Sequence, residues 1–123
     1  MRREHSKLEL FNKLQLKDYD DDIIISAITK LADQNYQSDN RFSEAFILMR
    51  YNQGNGPVKI ASELKFRGIS TFDLSDYDWF KSAKEIREKK FGDSSSIDFK
   101  DQAKQKRFLQ SRGFGLDQIN QAF

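Results

Sequence analysis

Apolar residues recur along this chain at steps of three and four, the spacing that lines one face of a helix. Ser6-Lys7-Leu8-Glu9 reads as a capping box that opens a first helix, with Leu10 and Leu14 on its buried face and Asp18 as its stop. A second helix follows Asp20-Asp21-Asp22, acids that suit a helix N-terminus, and Ile24, Ile28 and Leu31 form its stripe. Asn35 ends it, Tyr36-Gln37 turns, and Ser38 or Asp39 caps a third helix. The inner face of that helix is expected to be Phe42, Ala45, Phe46 and Met49, up to Gly54. Gly54-Asn55-Gly56-Pro57 then opens a helix that faces Ile60 and Leu64 inward and stops at Gly68. Ser70 is expected to begin a short helix carrying Phe72 and Leu74. Trp79, Phe80, Ala83, Ile86 and Phe91 belong to a longer one closed by Gly92. After the linker-like Asp93-Ser94-Ser95-Ser96-Ile97 come a helix with Phe108 and Leu109, then Gly113, then a helix with Leu116, Ile119 and Phe123. The pattern predicts about eight helices and no strand.

One phrase occurs three times within this pattern. A leucine is followed by two spacers, a base, a turn residue and a large apolar residue: Leu14 to Tyr19, Leu64 to Ile69 and Leu109 to Phe114. Ile24, Leu74 and Ile119 follow at one fixed offset. Asp18, Gly68 and Gly113 fall where a helix ends in a left-handed residue, so Tyr19, Ile69 and Phe114 should clasp Leu14, Leu64 and Leu109. Lys17, Arg67 and Arg112 then lie at the negative end of a helix dipole. The recurrence predicts an all-α chain of tandem three-helix, helix-turn-helix-like repeats, with repeat 1 over 1–53, repeat 2 over 54–92, and a linker with an incomplete repeat 3 over 93–123.

Composition narrows the class. The chain has 123 residues, 33% of them charged, eleven Phe, one Trp, four Tyr and no Cys. The lack of Cys leaves no disulfide framework and no thiolate chemistry, which fits a cytoplasmic protein. No apolar run approaches the ~20 residues of a membrane span, and no signal-peptide core follows the first residues, so no membrane partner is expected. The net charge of +2 hides an uneven distribution. Residues 17–44 carry seven acids against three bases, whereas residues 81–112 carry ten bases against five acids. Such a dipolar chain suits an anionic partner at its C-terminal half.

Catalytic patterns do not assemble. His5 is the only histidine and lies beside a helix cap, so no metal or other cofactor is expected and the chain reads as a non-enzyme. Asp18, Asp20, Asp21 and Asp22 lack the spaced ligands and Gly of a calcium loop and read as an acidic helix start. Gly54 to Pro57 is followed by no Lys-Ser or Lys-Thr pair and reads as helix punctuation rather than a phosphate loop. The candidate surface is basic: Arg41 and Arg50 in the first repeat, Lys59, Lys65 and Arg67 in the second, and Lys104, Lys106, Arg107 and Arg112 in the third. As a stripe along stacked repeats these cations could track a phosphate backbone or an acidic filament groove; singly, each reads equally as a solvated helix face.

A series of phrases resembles the RecX family of bacterial recombination regulators. They are Arg3-Glu4-His5-Ser6 with Glu9-Leu10 and Lys13-Leu14, then Asp39-Asn40-Arg41-Phe42 with Phe46 and Arg50. Next come Gly54-Asn55-Gly56-Pro57 with Ile60, Glu63-Leu64 and Arg67-Gly68-Ile69. Lys89-Lys90-Phe91-Gly92, Arg107-Phe108-Leu109 and Arg112-Gly113-Phe114 complete the series. The resemblance covers nearly the whole chain. It implies an elongated, curved monomer that binds the RecA filament, lies in its groove and contacts single-stranded DNA through or beside RecA. It also implies suppression of RecA's ATP hydrolysis, strand exchange and co-protease activity, in the setting of DNA repair and the SOS response. Relatives usually carry a further, often helical stretch ahead of the segment equivalent to Arg3, where this sequence begins. Asn52-Gln53 stands at positions often basic in relatives and Ala61 at a frequent Arg, which lowers the positive charge there.

Two other readings fit the residues without that resemblance. A stand-alone helical DNA-binding protein would affect RecA only by competing for DNA, and would bind bare DNA with a steep salt dependence. A protein–protein scaffold would bind the filament whether or not the C-terminal cations were present.

Overall fold

The computed structural model describes residues 4–92 and 98–123. Among them are seven α-helices and no strand: α1 (Lys7–Gln15), α2 (Asp21–Asp33), α3 (Asp39–Asn52), α4 (Pro57–Phe66), α5 (Trp79–Phe91), α6 (Phe99–Ser111) and α7 (Leu116–Gln121). The all-helical class is as the periodicity predicts. The expected linker 93–97 and the opening Arg3 lie outside the described residues. The chain divides into two compact units, one of Met1–Leu48 with Glu63–Phe72, the other of Met49–Ser62 with Asp73–Phe123.

In the first unit the capping box forms as its sequence demands. Ser6 Oγ accepts from Glu9 N–H at 3.1 Å, and Glu9 Oε1 accepts from Ser6 N–H at 3.1 Å. Ser6 is fully buried, and its hydroxyl donates to the Arg67 carbonyl at 2.8 Å, tying the start of α1 to the end of α4. Ile24 and Ile28 of α2, Phe42, Phe46 and Ile47 of α3, and Leu64 and Ile69 are the buried apolar residues of this unit. Phe42 and Phe46 stack at 5.7 Å, as residues one helical turn apart can. The buried side of α3 runs through Phe42, Ser43, Phe46 and Ile47. Ala45 and Met49, expected inside, are exposed because that stripe is centred one residue further round the helix.

In the second unit α5, α6 and α7 pack on one another. Their core is Ile60, Trp79, Ala83, Leu109, Phe114, Ile119 and Ala122, with Phe91 set edge-on to Phe108 at 5.3 Å.

The repeated phrase ends helices as expected in its second and third copies. Ile69 N–H donates to the Leu64 carbonyl at 3.0 Å and Gly68 N–H to Lys65 at 3.1 Å. Phe114 N–H likewise reaches Leu109 at 3.2 Å and Gly113 N–H reaches Gln110 at 3.0 Å. These are the paired bonds of a Schellman ending, closed by buried apolar contacts. Asn35 (φ 63°) and Gly54 (φ 82°) close α2 and α3 in the same way, with Tyr36 N–H on Leu31 at 2.8 Å and Asn55 N–H on Arg50 at 3.0 Å. The first copy differs. Asp18 is left-handed (φ 61°), yet Tyr19 is 53% exposed rather than clasped on Leu14, because its phenol can remain in water. Asp18 has the strain a side chain feels at positive φ, so Asp18→Gly is expected to raise stability by about 0.5 kcal/mol after the glycine's entropy loss is offset. A lower melting temperature for that variant would contradict this account of the turn.

The short helix expected from Ser70 does not form; residues 69–74 are irregular and a turn follows. Local side chains take the hydrogen bonds a helix would need. Asp73 Oδ1 accepts from Ser75 N–H at 2.8 Å and from its hydroxyl at 2.5 Å, and the Leu74 carbonyl accepts from the Trp79 indole at 2.7 Å. The Ser75 hydroxyl, then its amide, hold the Asp73 carboxyl below its ordinary range.

Candidate functional site

The nine candidate cations divide between the two units, and the structure gives them unequal roles. In the first unit Arg41 and Arg67 are fixtures of the fold. Arg41 donates to Glu4 Oε1 at 3.0 Å, to Asn35 Oδ1 at 2.9 Å and to the Asn35 carbonyl at 2.8 Å, closing the end of α2. Arg67 donates to the Glu63 carbonyl at 3.1 Å, lies 3.8 Å from Glu9 and places its guanidinium 4.8 Å from the Phe46 ring centre. Reversing its charge would disturb this core as well as any surface. Lys65 is exposed in the last turn of α4.

In the second unit Lys59, Lys104 and Arg107 are exposed on α4 and α6. Arg50 donates to Gln53 Oε1 at 2.9 Å. Lys106 lies 5.7 Å from the centre of the Phe123 ring and Arg112 lies 5.2 Å from that of Phe108.

Arg112 also lines a groove of about 310 Å³ with Gln53, Gly54, Ile86, Lys89, Lys90 and Phe108. Lys89 and Lys90 were not singled out as site residues by spacing, since a pair of bases in the last turn of a helix ordinarily offsets its dipole. What the sequence could not show is that the end of α5 and the end of α6 meet, which adds Arg112 to that pair. Lys90 Nζ lies 4.8 Å from the Phe108 centre and 6.0 Å from that of Phe91.

Arg87, one of the ten bases of residues 81–112, has a buried role that its charge alone does not reveal. It is 1% exposed and donates to the Ala122 carbonyl at 2.7 Å and the Gly92 carbonyl at 3.2 Å, with Gln105 Oε1 at 3.4 Å. A signal was present: Arg87 follows Trp79 and Ala83 at steps of four, on the apolar stripe of its helix.

No catalytic set is assembled by these side chains. His5 uses its main-chain carbonyl to accept from Gln37 at 3.3 Å and borders a hollow with Glu4, Tyr36 and Arg41. Among the described residues no group of three His, Cys, Asp or Glu could hold a metal ion. Asp21 and Asp22 occupy the first turn of α2 behind the N-cap Asp20. No helix among them is long and apolar enough to cross a membrane.

Fold and surface together define a tandem helical-repeat protein with exposed cations on α4 and α6 and a run of exposed carboxylates at the start of α2. The comparisons make the class specific. Residues 38–74 match the model of the second three-helix domain of RecX and residues 76–123 that of the third. The Regulatory protein RecX of Acinetobacter baylyi is 40% identical over 125 residues, which is 98% of this chain and 79% of that one. The protein of the same name from Halorhodospira halophila is 35% identical over 127 residues, again 98% and 79%. The crystal structure of RecX from Lactobacillus salivarius superposes with a TM-score of 0.81 at 25% identity, covering 98% of this chain and 84% of that one. This chain belongs to the RecX family. The expected repeat boundaries at 53/54 and 92/93 fall inside the two matched segments.

Proposed function

We propose that this protein is a negative modulator of the RecA recombinase. It acts as a cytoplasmic monomer by binding the RecA–single-stranded DNA filament, without a cofactor and without chemistry of its own. Binding suppresses ATP hydrolysis, strand exchange and co-protease activity. The observation that carries this reading is the match, across 98% of the chain, to proteins that share the RecX name. Exposed cations on α4 and α6, among them Lys59, Lys104 and Arg107, give such a protein groups with which to meet an anionic filament surface. Arg41 and Arg67 serve it indirectly, by fixing helix ends.

Strand exchange by RecA tests the reading together with its surface. The unaltered protein is expected to suppress joint-molecule formation. The combined change Lys104→Glu, Arg107→Glu and Arg112→Glu is expected to restore most of it, because none of the three lies in the core. Full suppression by that variant would remove these cations from the interface. Uninhibited exchange in the presence of the unaltered protein would remove the function.

A further inference from the structure

Two surface features are left without a counterpart, one in each unit. The first is the tip made by the end of α1, the turn after it and the start of α2, where residues 15–23 are all exposed. Leu16, Tyr19 and Ile23 stand there 86%, 53% and 57% exposed, at steps of three and four. They lie among the carboxylates of Asp18, Asp20, Asp21 and Asp22. Local structure uses little of this chemistry. Asp20 caps α2 without a side-chain bond, and Asp21 accepts only from Gln15, at 3.3 Å. Acids suit a helix start, but large apolar side chains held in water beside them mark a surface that something else covers.

The second feature is the groove of about 310 Å³ at the ends of α5 and α6, walled by Ile86 and Phe108 and rimmed by Lys89, Lys90 and Arg112. Among the described residues, neither these three cations nor the four tip carboxylates form an ion pair. The neighbouring acids of α5 are directed elsewhere, Glu85 toward Lys81 at 3.9 Å and Glu88 toward Arg87 at 3.6 Å. Lys90 and Arg112 lie against the Phe108 ring, at 4.8 and 5.2 Å from its centre, which positions them and leaves their charge in place. Gly54 keeps the recess open, since a Cβ there would come within 2.9 Å of Ile86.

We infer that the acidic tip of one copy of this chain seats in the cationic groove of another. The two patches match in sign, carboxylates against ammonium and guanidinium groups. They match in apolar content too, with Tyr19 and Ile23 offered to the walls at Ile86 and Phe108. The recess is the size of a side chain or two, which suits a tip and not a whole helix. Tip and groove are different patches, so the contact is heterologous and runs head to tail instead of closing on itself. Its charges are exposed and add little between free chains, which keeps the acting form a monomer in dilute solution. Copies held side by side meet at a high effective concentration, and the same contact then lets one bound copy favour the next. That setting, though not the contact, rests on the filament reading above.

The test is sedimentation equilibrium of the full chain at low salt, up to about 1 mM protein. The average mass of the unaltered chain is expected to climb steadily with concentration, and to fall back to one chain in about 0.5 M salt. Tyr19→Ser with Asp20→Asn and Asp22→Asn empties the tip; Lys89→Glu with Lys90→Glu reverses the groove. All five positions are exposed, and circular dichroism checks that helix content is kept. Each variant alone is expected to weaken association at least tenfold. Mixed, the two are expected to associate again but to stop at two chains, because only the intact tip of one and the intact groove of the other can meet. Lys30→Glu with Lys84→Glu, an equal charge change away from both patches, should leave association within about twofold. Tyr19→Ser alone carries the test if either combination does not fold, with a loss of about threefold to tenfold expected.

A single-chain mass for the unaltered protein at every concentration would overturn the inference, as would a mixture of the two variants that stays at single chains. Association that survives about 0.5 M salt would overturn it in favour of a purely apolar contact. RecA ATPase titrated with the same preparations tests the setting. A steeper inhibition curve for the unaltered chain than for the tip variant is expected, and curves of one shape would place the contact off the filament. Should the unaltered chain associate without inhibiting RecA, the contact stands and the filament reading fails.

Discussion

Replacing Arg87 with alanine is expected to destabilise the second unit by about 3–5 kcal/mol, a large part of the 5–15 kcal/mol that holds a domain together. The guanidinium is 1% exposed, and its nearest carboxylate, on the half-exposed Glu88, is 3.6 Å away. Its main acceptors are carbonyls at two helix ends, Gly92 at the C-cap of α5 and Ala122 at the C-cap of α7. Those carbonyls have no partner within their own helices and carry the negative ends of two dipoles, so one cation meets both demands. Phe123 covers the guanidinium at 5.0 Å. Alanine would leave the buried Ala122 carbonyl and Gln105 Oε1 without this donor, release the Gly92 carbonyl, and open a cavity. Arg87→Lys keeps the charge but not the fork, and is expected to lose about 2 kcal/mol. Urea unfolding followed at 222 nm measures both; a loss below about 1 kcal/mol for alanine would show that the buried network contributes little.

Gly113→Ala is expected to be comparably severe, at about 3 kcal/mol or more. Gly113 has φ +94°, and a Cβ there would collide with Lys59 Cβ and come within 2.8 Å of the Lys59 backbone nitrogen. The crowding has a purpose. The first amides of α4 donate to the last carbonyls of α6: Gly56 N–H to Arg112 at 2.7 Å and Val58 N–H to Gly113 at 2.9 Å. One helix start and one helix end, each short of partners, satisfy one another, and their opposite dipole charges attract. Gly56 is held to glycine by the same approach, since its Cβ would lie 2.5 Å from the Gly113 carbonyl. Pro57 fits at the first position of α4 because it has no N–H to place. Thermal unfolding of Gly113→Ala within about 1 kcal/mol of the unaltered protein would mean the two helices can separate without penalty.

The contrast between Gly113 and Asp18 shows how far the sequence could be read. Both fill the same slot of the repeated phrase and both are left-handed. That much depends on neighbours within five residues and was legible, as were the Ser6 box and the stops at Asn35, Gly54 and Gly68. Only the fold shows that Asp18 faces solvent while Gly113 carries another helix on its carbonyl. The same divide separates the cations. Bases were visible as bases, but their roles depend on partners remote in sequence. Arg67 is committed to Glu9 and Phe46, and Arg87 to Ala122. Lys89 and Lys90 become part of a groove only when the end of α6 brings Phe108 and Arg112 to them. The irregular stretch after Gly68 is illegible in the sequence for a related reason: Trp79 takes the Leu74 carbonyl, which a helical spacing of apolar residues does not reveal.

The central claim is filament regulation, and it is tested most directly by the ATPase rate of RecA assembled on single-stranded DNA beforehand. The protein is titrated well below the RecA concentration. A fall in rate at those substoichiometric amounts is the predicted result, since competition for abundant DNA cannot act so sparsely. An unchanged rate throughout the titration would contradict the account.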